Sequence, residues 1–397
     1  MIHRPSSGPA DGRRWGPDVR HVLAIRLDSI GDVLMTTPAI RALRSSPGRR
    51  VSMLTSSAGA EAARLVPEID RVLVYDAPWM KASAARAGAG QDLETIELLR
   101  SERFDAAAIF TVYSQNAQPA AMLCYLADIP RRLAHSREPA YGLLTDRLAE
   151  PEPEHLVRHE VQRQLDLVAA VGCRTRDRSL SIRIGGAAFE RADGSLDAAG
   201  LDRNRPWAVL HPGASAPSRR YPTDAFAIAA SELAGTYGWQ IVLAGGRDDR
   251  GVVDEVRSQM RAEAFVLPED LDIEELAAVL QRAPLLIANN SGPAHLAAAV
   301  GTPVVDLYAL TNPQHAPWGV ESRVLYHDVP CRFCYASVCP EGHHRCLRGV
   351  PPSDVVSAAL ELTAQATRRP TGKAQVPVAQ SVTAVGSRGR VPQASDP

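Results

Sequence analysis

The chain has 397 residues, a length that favours two domains because single hydrophobic cores stop growing below that size. A hydrophobic fraction of 45% with 22% charged residues is typical of a globular protein. With 44 Lys and Arg against 45 Asp and Glu, the net charge of -1 argues against a polyanion-binding surface. Nucleic acid is therefore not an expected partner.

The two ends of the chain are predicted to be disordered. Residues 1–20 contain no apolar run of signal-peptide length, and no later stretch approaches a membrane span, so the predicted location is the cytoplasm. In that compartment the six cysteines are expected to be thiols or metal ligands rather than disulfides. Residues 366–397 are rich in Pro, Gly, Ser and Gln, which predicts a disordered tail.

Short apolar runs alternate with helical patterns on both sides of a polar central stretch. Such runs, bounded by breakers and separated by helices, are typical of buried parallel strands. The sequence therefore predicts two doubly wound α/β domains at residues 21–175 and 205–365, joined by a linker or hinge at 176–204. The predicted strands are 21–27, 51–56, 71–76 and 106–111 in the first half, and the runs WAVLHPG, QIVLAGG, AFVLP, LLIANN and PVVDLY in the second.

In folds of this kind ligands bind beyond the carboxyl ends of the strands, and the first loop there contains a Gly-Asp pair. Gly31 permits a tight turn after the first strand, and Asp32 falls at or near the start of the following helix. The carboxylate of Asp32 has two interpretations, a cap for free helix N–H groups or a functional group at the ligand-binding edge.

Two loops of the second half have the composition of an anion site. In residues 211–222, small residues precede Arg219 and Arg220, whose guanidinium groups match phosphate oxygens, although a solvated surface pair is the alternative. In residues 289–303, Ser291 and Gly292 open an Ala-rich helix, which is the geometry of an anion site or of a plain Ser N-cap.

Several enzyme classes lack their signatures here. Neither half contains the G-x-G-x-x-G pattern of dinucleotide-binding proteins, and no P-loop pattern is present. The nucleophile elbow of Ser or Cys hydrolases is also missing from the sequence.

Four motifs, in this order and at these separations, resemble glycosyltransferase family nine, the bacterial lipopolysaccharide heptosyltransferases. They are RLDSIGDVLMTTPAIRALR, HPGASAPSRRYP, NNSGPAHLAAAVGTPVV and NPQHAPWG, and the resemblance covers about residues 20–365. It implies a GT-B fold, in which two Rossmann-like domains face a central cleft. The first domain is expected to bind the acceptor and the second an ADP-activated heptose, with inversion at the anomeric carbon and no obligatory metal or other cofactor.

The resemblance also implies roles for individual residues. Asp32 occupies the position of the general base. The donor-binding residues are expected to be Arg219, Arg220, Asn290, Ser291, Gly292 and His295, with packing inside the helix as the alternative for His295. No acceptor-binding residue is assigned. The expected partners are an ADP-sugar and a glycolipid acceptor, with peripheral contact at the inner membrane surface.

Two departures from the family pattern concern the donor site. Arg219 and Arg220 stand where many members have Lys-Arg, and Asn290 stands where many have Asp. The loss of that carboxylate leaves two alternatives open, a nucleotide-sugar-binding protein without catalysis or a transferase with a different donor sugar.

Two further segments carry weaker predictions. Basic and aromatic residues at 129–147 are candidates for the rim of an anionic acceptor site, with a solvated helix-loop face as the alternative. Residues 331–346 contain cysteines in the spacing C-x2-C-x4-C-x6-C with His343 and His344 between them, which suits a structural zinc or iron–sulfur centre. A metal-binding scaffold organised by this segment is therefore another alternative function.

Overall fold

The computed structural model describes residues 14–81, 83 and 88–366, which contain two six-stranded parallel sheets. The strand order is β3-β2-β1-β4-β5-β6 in the first sheet and β12-β11-β10-β7-β8-β9 in the second. Numbered within its own half, each sheet has the doubly wound order 3-2-1-4-5-6. The strands are β1 (His21–Arg26), β2 (Arg50–Thr55), β3 (Arg71–Val74), β4 (Ala106–Ile109), β5 (Arg131–Ser136), β6 (Asp146–Ala149), β7 (Trp207–His211), β8 (Gln240–Leu243), β9 (Ala264–Val266), β10 (Leu286–Asn289), β11 (Val304–Leu307) and β12 (Ser322–Leu325).

Helices cover both faces of each sheet, which explains why the central strands read as continuous apolar runs. Strands β4, β7, β8, β10 and β11 are buried at every position. Of the helices that the structure describes, none is both long and apolar enough to cross a membrane. The helices are α1 (Ile30–Arg44), α2 (Ser57–Leu65), α3 (Gly90–Ser101), α4 (Gln118–Leu126), α5 (Glu160–Ala169), α6 (Gly186–Ala198), α7 (Thr223–Tyr237), α8 (Arg250–Gln259), α9 (Ile273–Arg282), α10 (Gly292–Val300), α11 (Arg345–Arg348) and α12 (Pro352–Ala366).

Parts of the predicted linker and N-terminal arm are packed. The predicted linker at 176–204 contains α6, whose buried face of Ala188, Ala192 and Leu196 repeats every four residues and packs against the second domain at α9. In the predicted arm, Trp15 and Val19 are buried in the first domain. Residues 1–13 and 367–397, the larger part of the predicted arm and tail, lie outside the described residues.

The segment 129–147, expected to form an acceptor rim or a solvated face, instead contains the two strands β5 and β6. Arg132 is buried, and its guanidinium donates to the backbone carbonyl oxygens of Ile129, Gly142 and Leu143. These bonds satisfy a cation that the sequence pattern places on the surface. Arg132 therefore stabilises the chain on either side of β5, and the rim prediction is wrong for this residue.

The two domains meet closely where α1 of the first contacts α10 of the second. The ring of His295 lies against Gly31, where an added Cβ would come within 2.5 Å of His295 Cδ2. Only glycine fits this approach without displacing the ring. A second contact joins the start of α5 to the segment 311–318, in which the Gln314 carbonyl accepts from Glu160 N at 3.0 Å.

This close approach predicts that Gly31→Ala destabilises the protein. The added methyl group forces α1 and α10 apart, and overpacking of this kind costs about 1–3 kcal/mol of unfolding free energy. Chemical denaturation provides the measurement. Gly235→Ala in α7, where no atom lies within 4 Å of an added Cβ, is the matched control and is expected to be neutral or stabilising.

If the His295 ring is what the added methyl group meets, the stability cost of Gly31→Ala should depend on the presence of that ring. In an His295→Ala background, Gly31→Ala should cost little, because the atoms that the methyl group meets are gone. An unchanged cost in that background, or a Gly31→Ala variant as stable as the control, contradicts the packing argument.

Candidate active site

A cleft of about 450 Å³ lies between the domains at the carboxyl ends of both sheets. Its first-domain wall is the β1–α1 loop, residues 28–32. Its second-domain wall includes residues 213–215 with Arg219 and Asp249, the loop at 290–293, and the side chains of His295 and His315. The three loops that the sequence singles out therefore face one another.

Asp32 caps the first turn of α1 and also lines the cleft. Its Oδ2 accepts hydrogen bonds from the backbone N–H of Ser29 at 3.3 Å and from Ser29 Oγ at 2.9 Å. Its Oδ1 accepts from Arg26 Nη2 at 2.8 Å. The two interpretations of this carboxylate from the sequence are thus compatible, because one side chain both caps the helix and faces the ligand space.

Arg26, at the end of β1, is fully buried among three carboxylates. Its Nε lies 2.9 Å from Asp28 Oδ2, its Nη2 2.8 Å from Asp32 Oδ1, and its Nη1 2.7 Å from Glu160 Oε1. We call Arg26, Asp28, Asp32 and Glu160 the Arg26 cluster. Glu160 also lies 4.0 Å from Arg163 Nη1, whereas Asp28 and Asp32 share Arg26 as their cation, which leaves this wall of the cleft with excess negative charge.

The two carboxylates of the cluster that face the cleft have pKa values shifted in opposite directions. Burial would raise the pKa of Asp32, but Arg26, His315 and Ser29 together lower it below its ordinary value. Burial raises the pKa of Asp28 to about 6 against the attraction of Arg26. Asp32 is therefore ionised at any physiological pH, whereas Asp28 begins to take up a proton in mildly acidic solution.

Five of the six predicted donor-binding residues line the cleft. Arg219 closes a short 3-10 turn and faces the ligand space. Arg220 does not line the cleft, because its Nε donates to the carbonyl of Ala214 at 2.8 Å and braces the loop. The other four residues lie on the β10–α10 corner and are Asn290, Ser291, Gly292 and His295.

His295 fits both of its interpretations, since it is buried and also lines the cleft. Neither ring nitrogen has a hydrogen-bond partner among the described residues, and Nδ1 is a buried unpaired atom. Burial lowers the pKa of His295 to about 3, with a further contribution from His315, so the ring is neutral.

A model of the family "Glycosyltransferase family 9 (heptosyltransferase)" matches residues 93–344 of the chain. The chain belongs to this family. It is 24% identical over 361 residues to lipopolysaccharide heptosyltransferase 2 of Escherichia coli K12, covering 87% of this chain and 99% of that protein. This membership confirms the resemblance that the four motifs indicate. It also confirms the prediction that the protein is a glycosyltransferase.

Solved structures confirm the predicted GT-B fold. The family 9 glycosyltransferase from Veillonella parvula DSM 2008 superposes with a TM-score of 0.74 at 22% identity, covering 89% of this chain and 99% of that one. Escherichia coli heptosyltransferase WaaC, solved with ADP-2-deoxy-2-fluoro heptose, gives 0.58 at 21% identity, with 86% and 99% covered.

In this family 9 member, no role was assigned from the sequence to four titratable residues of the cleft, Asp28, His211, Asp249 and His315. His315 is buried, burial lowers its pKa, and its Nε2 has no partner among the described residues. It lies within NPQHAPWG, one of the four motifs that resemble the family, but this histidine was assigned no role from the sequence alone. Asp28 lies two residues beyond the end of β1, where a carboxylate reaches the edge of the sheet.

A second cavity of about 960 Å³ extends from the same place along the first domain. The two cavities share eight lining residues, among them Asp28, Asp32 and Arg219, so Asp32 lies at their boundary. The far wall of this second cavity contains Trp79, Met80 and Lys81.

The cysteine-rich segment 331–346 packs beside Arg219 and contributes Tyr335 to the lining of the cleft. Ser218, next to Arg219, donates through its backbone N to Ser337 O at 3.0 Å and through its Oγ to Ala336 O at 2.7 Å. Among the described residues, no group of three or more His, Cys, Asp or Glu side chains is placed to hold a metal ion. The structure therefore gives no support to the predicted metal, which stays a prediction.

The raised pKa of Asp28 predicts a pH-dependent effect of Asp28→Asn. Ionising Asp28 in the folded protein is unfavourable above its ordinary pKa of about 4, and this destabilisation grows until the pH passes about 6. The asparagine variant lacks it, so its melting temperature should rise relative to wild type between pH 4.5 and pH 7.5. Asp270→Asn, on an exposed carboxylate, is the control. A difference that stays constant or shrinks with rising pH contradicts the assignment.

Proposed function

We propose that this family 9 member is an inverting transferase that moves heptose from ADP-heptose to a lipopolysaccharide-type or related glycolipid acceptor. The observation that carries the proposal is the position of Asp32 at the boundary of two cavities, opposite Arg219 and the start of α10. One cavity suits a nucleotide sugar and the other its acceptor. Because that acceptor is lipid-linked, the reaction is placed at the cytoplasmic surface of the inner membrane.

Asp32 acts as the general base in the proposed reaction. The acceptor hydroxyl oxygen attacks the anomeric carbon while its proton passes to the Asp32 carboxylate, and the bond from that carbon to the diphosphate oxygen breaks on the opposite face. Since Arg26 lowers the pKa of Asp32, the carboxylate is always ionised but only weakly basic. The proton therefore moves late, when bond formation has made the hydroxyl acidic.

The second-domain wall stabilises the leaving ADP. Charge accumulates on the diphosphate as the bond breaks, and donors placed in advance lower that barrier. Arg219 provides a guanidinium, and the free N–H groups at the start of α10, near Ser291 and Gly292, carry the positive end of the helix dipole. A relative of the same fold, heptosyltransferase WaaC, was solved with an ADP-heptose analogue, which supports this class of donor.

A donor panel tests the function. Purified protein is titrated with ADP-, UDP-, GDP- and TDP-sugars by calorimetry, and turnover is then followed on heptose-deficient glycolipid. We expect ADP-heptose to bind best and to be consumed. Binding without turnover favours the non-catalytic alternative, a preference for another sugar favours a different donor, and no nucleotide-sugar binding contradicts the proposal.

Asp32→Asn separates the catalytic role of this residue from its capping role. The variant keeps the size of the side chain but cannot take up the proton, and its single oxygen can serve Arg26 or the Ser29 N–H but not both. Its melting temperature is therefore measured beside kcat, so that the loss of the cap is read separately from the loss of the base. We expect kcat to fall by about two to four orders of magnitude, with little change in the dissociation constant of the ADP-sugar.

Ser29→Ala is the matched control, because it removes the hydroxyl that binds Asp32 Oδ2 and leaves the carboxylate in place. We expect it to lower the free energy of unfolding by about 1 kcal/mol while turnover stays within a few-fold of wild type. A fully active Asp32→Asn enzyme would contradict the catalytic role and show that Asp32 serves only as a helix cap.

A further inference from the structure

The side-chain amide of Asn290 is fixed by hydrogen bonds to two oxygen atoms of the second domain. Its Nδ2 donates to Asp306 Oδ2 at 2.9 Å and to the backbone carbonyl of His315 at 2.8 Å. A primary amide nitrogen carries two hydrogens, so both are used. The donor capacity of the Asn290 side chain is therefore exhausted inside the protein.

These two partners also determine which way the amide faces. The His315 carbonyl is an acceptor only, and Asp306 presents an oxygen, so a flipped amide would place Oδ1 against two oxygen atoms. Asn290 lines the cleft, and its Oδ1 accepts no hydrogen bond from any residue in the described part of the chain. Oδ1 is also absent from the buried unpaired polar atoms of that part. It is thus the atom that Asn290 offers to a ligand.

Asp306 has no other evident role. It lies in the fully buried strand β11, its Oδ1 has no partner among the described residues, and burial raises its pKa to about 8. A buried polar group left half unpaired destabilises a fold, which calls for a compensating function. Asn290 is the only side chain in the described residues that hydrogen-bonds to it.

We propose that Asp306 is a positioning residue that fixes the Asn290 amide so that its Oδ1 accepts a hydrogen bond from a hydroxyl of the ADP-sugar. The inference rests on the proposed function and deepens it. It gives this chain an uncharged acceptor at a position where many members of its family have a carboxylate. The hydroxyl belongs either to the transferred sugar or to the ribose of the nucleotide.

The test measures dissociation constants for ADP-heptose and for ADP by calorimetry. Asp306→Leu removes the oxygen that holds the amide, and we expect it to weaken ADP-heptose binding by about tenfold, the equivalent of one hydrogen bond. Asp306→Asn keeps an acceptor oxygen of the same size and should stay within about threefold of wild type. A loss confined to ADP-heptose assigns the hydroxyl to the transferred sugar, and an equal loss with ADP assigns it to the ribose.

A second background shows whether Asp306 acts through Asn290. In an Asn290→Ala protein, Asp306→Leu should have no further effect on affinity, because the group that it positions is gone. The inference is overturned if the tenfold loss persists there, or if Asp306→Leu binds ADP-heptose like wild type. Melting temperatures verify the fold, and Asp306→Val replaces the leucine variant if that variant does not fold. Wild-type protein that binds no ADP-sugar would instead overturn the proposed function.

Discussion

The rest of the structure depends on the ion pairs that the buried guanidinium of Arg26 makes with three carboxylates. It joins the end of β1 to the first turn of α1 through Asp32 and to the start of α5 through Glu160. The backbone N of Glu160 in turn donates to Gln314 of the second domain. Removing one partner of a buried ion pair costs about 3–5 kcal/mol, and loss of the Arg26 guanidinium would leave Asp28 and Asp32 without their cation. The active-site corner and the domain junction therefore share one electrostatic centre.

That centre is compatible with two roles for Asp32, the helix cap that the structure shows and the general base that we propose. A cap needs only one oxygen of its carboxylate, and Asp32 uses Oδ2 for the backbone of Ser29. Arg26 holds the other oxygen, so the side chain is fixed by neighbours on two sides. Fixed orientation is what a general base requires, since proton transfer depends first on geometry. The same contacts that stabilise the turn thus prepare it for chemistry.

The sequence was a good guide wherever a local pattern determines the structure. Apolar runs located β1–β4 and β7–β11, and the loops after β1, β7 and β10 were found to line one cleft, as expected. Strands β5, β6 and β12 were missed, the first two because their arginines and histidines hide the apolar pattern. Those side chains are satisfied by carbonyl groups that come together only in the fold, such as the partners of Arg132.

Long-range contacts also account for the errors at the site itself. Nothing local distinguishes Arg219, which faces the cleft, from Arg220, which binds the Ala214 carbonyl. His315 comes near Asp32 because its segment docks on α5, and Asp28 gains its raised pKa from burial beside Asp32. The roles of these residues depend on three-dimensional neighbours that no spacing rule contains.

Charge is distributed unequally across the cleft, and this asymmetry alone can orient the substrates. The first-domain wall holds Asp28 and Asp32 around one buried cation, whereas the second presents Arg219 and a helix N-terminus together with one carboxylate, Asp249. A diphosphate is repelled by the former and attracted by the latter, while a neutral hydroxyl can approach the acids freely. A carboxylate at position 290 would oppose that attraction on the donor wall. With an amide there, and with Asp306 protonated beneath it at neutral pH because burial raises its pKa to about 8, the donor wall carries no opposing negative charge at this point.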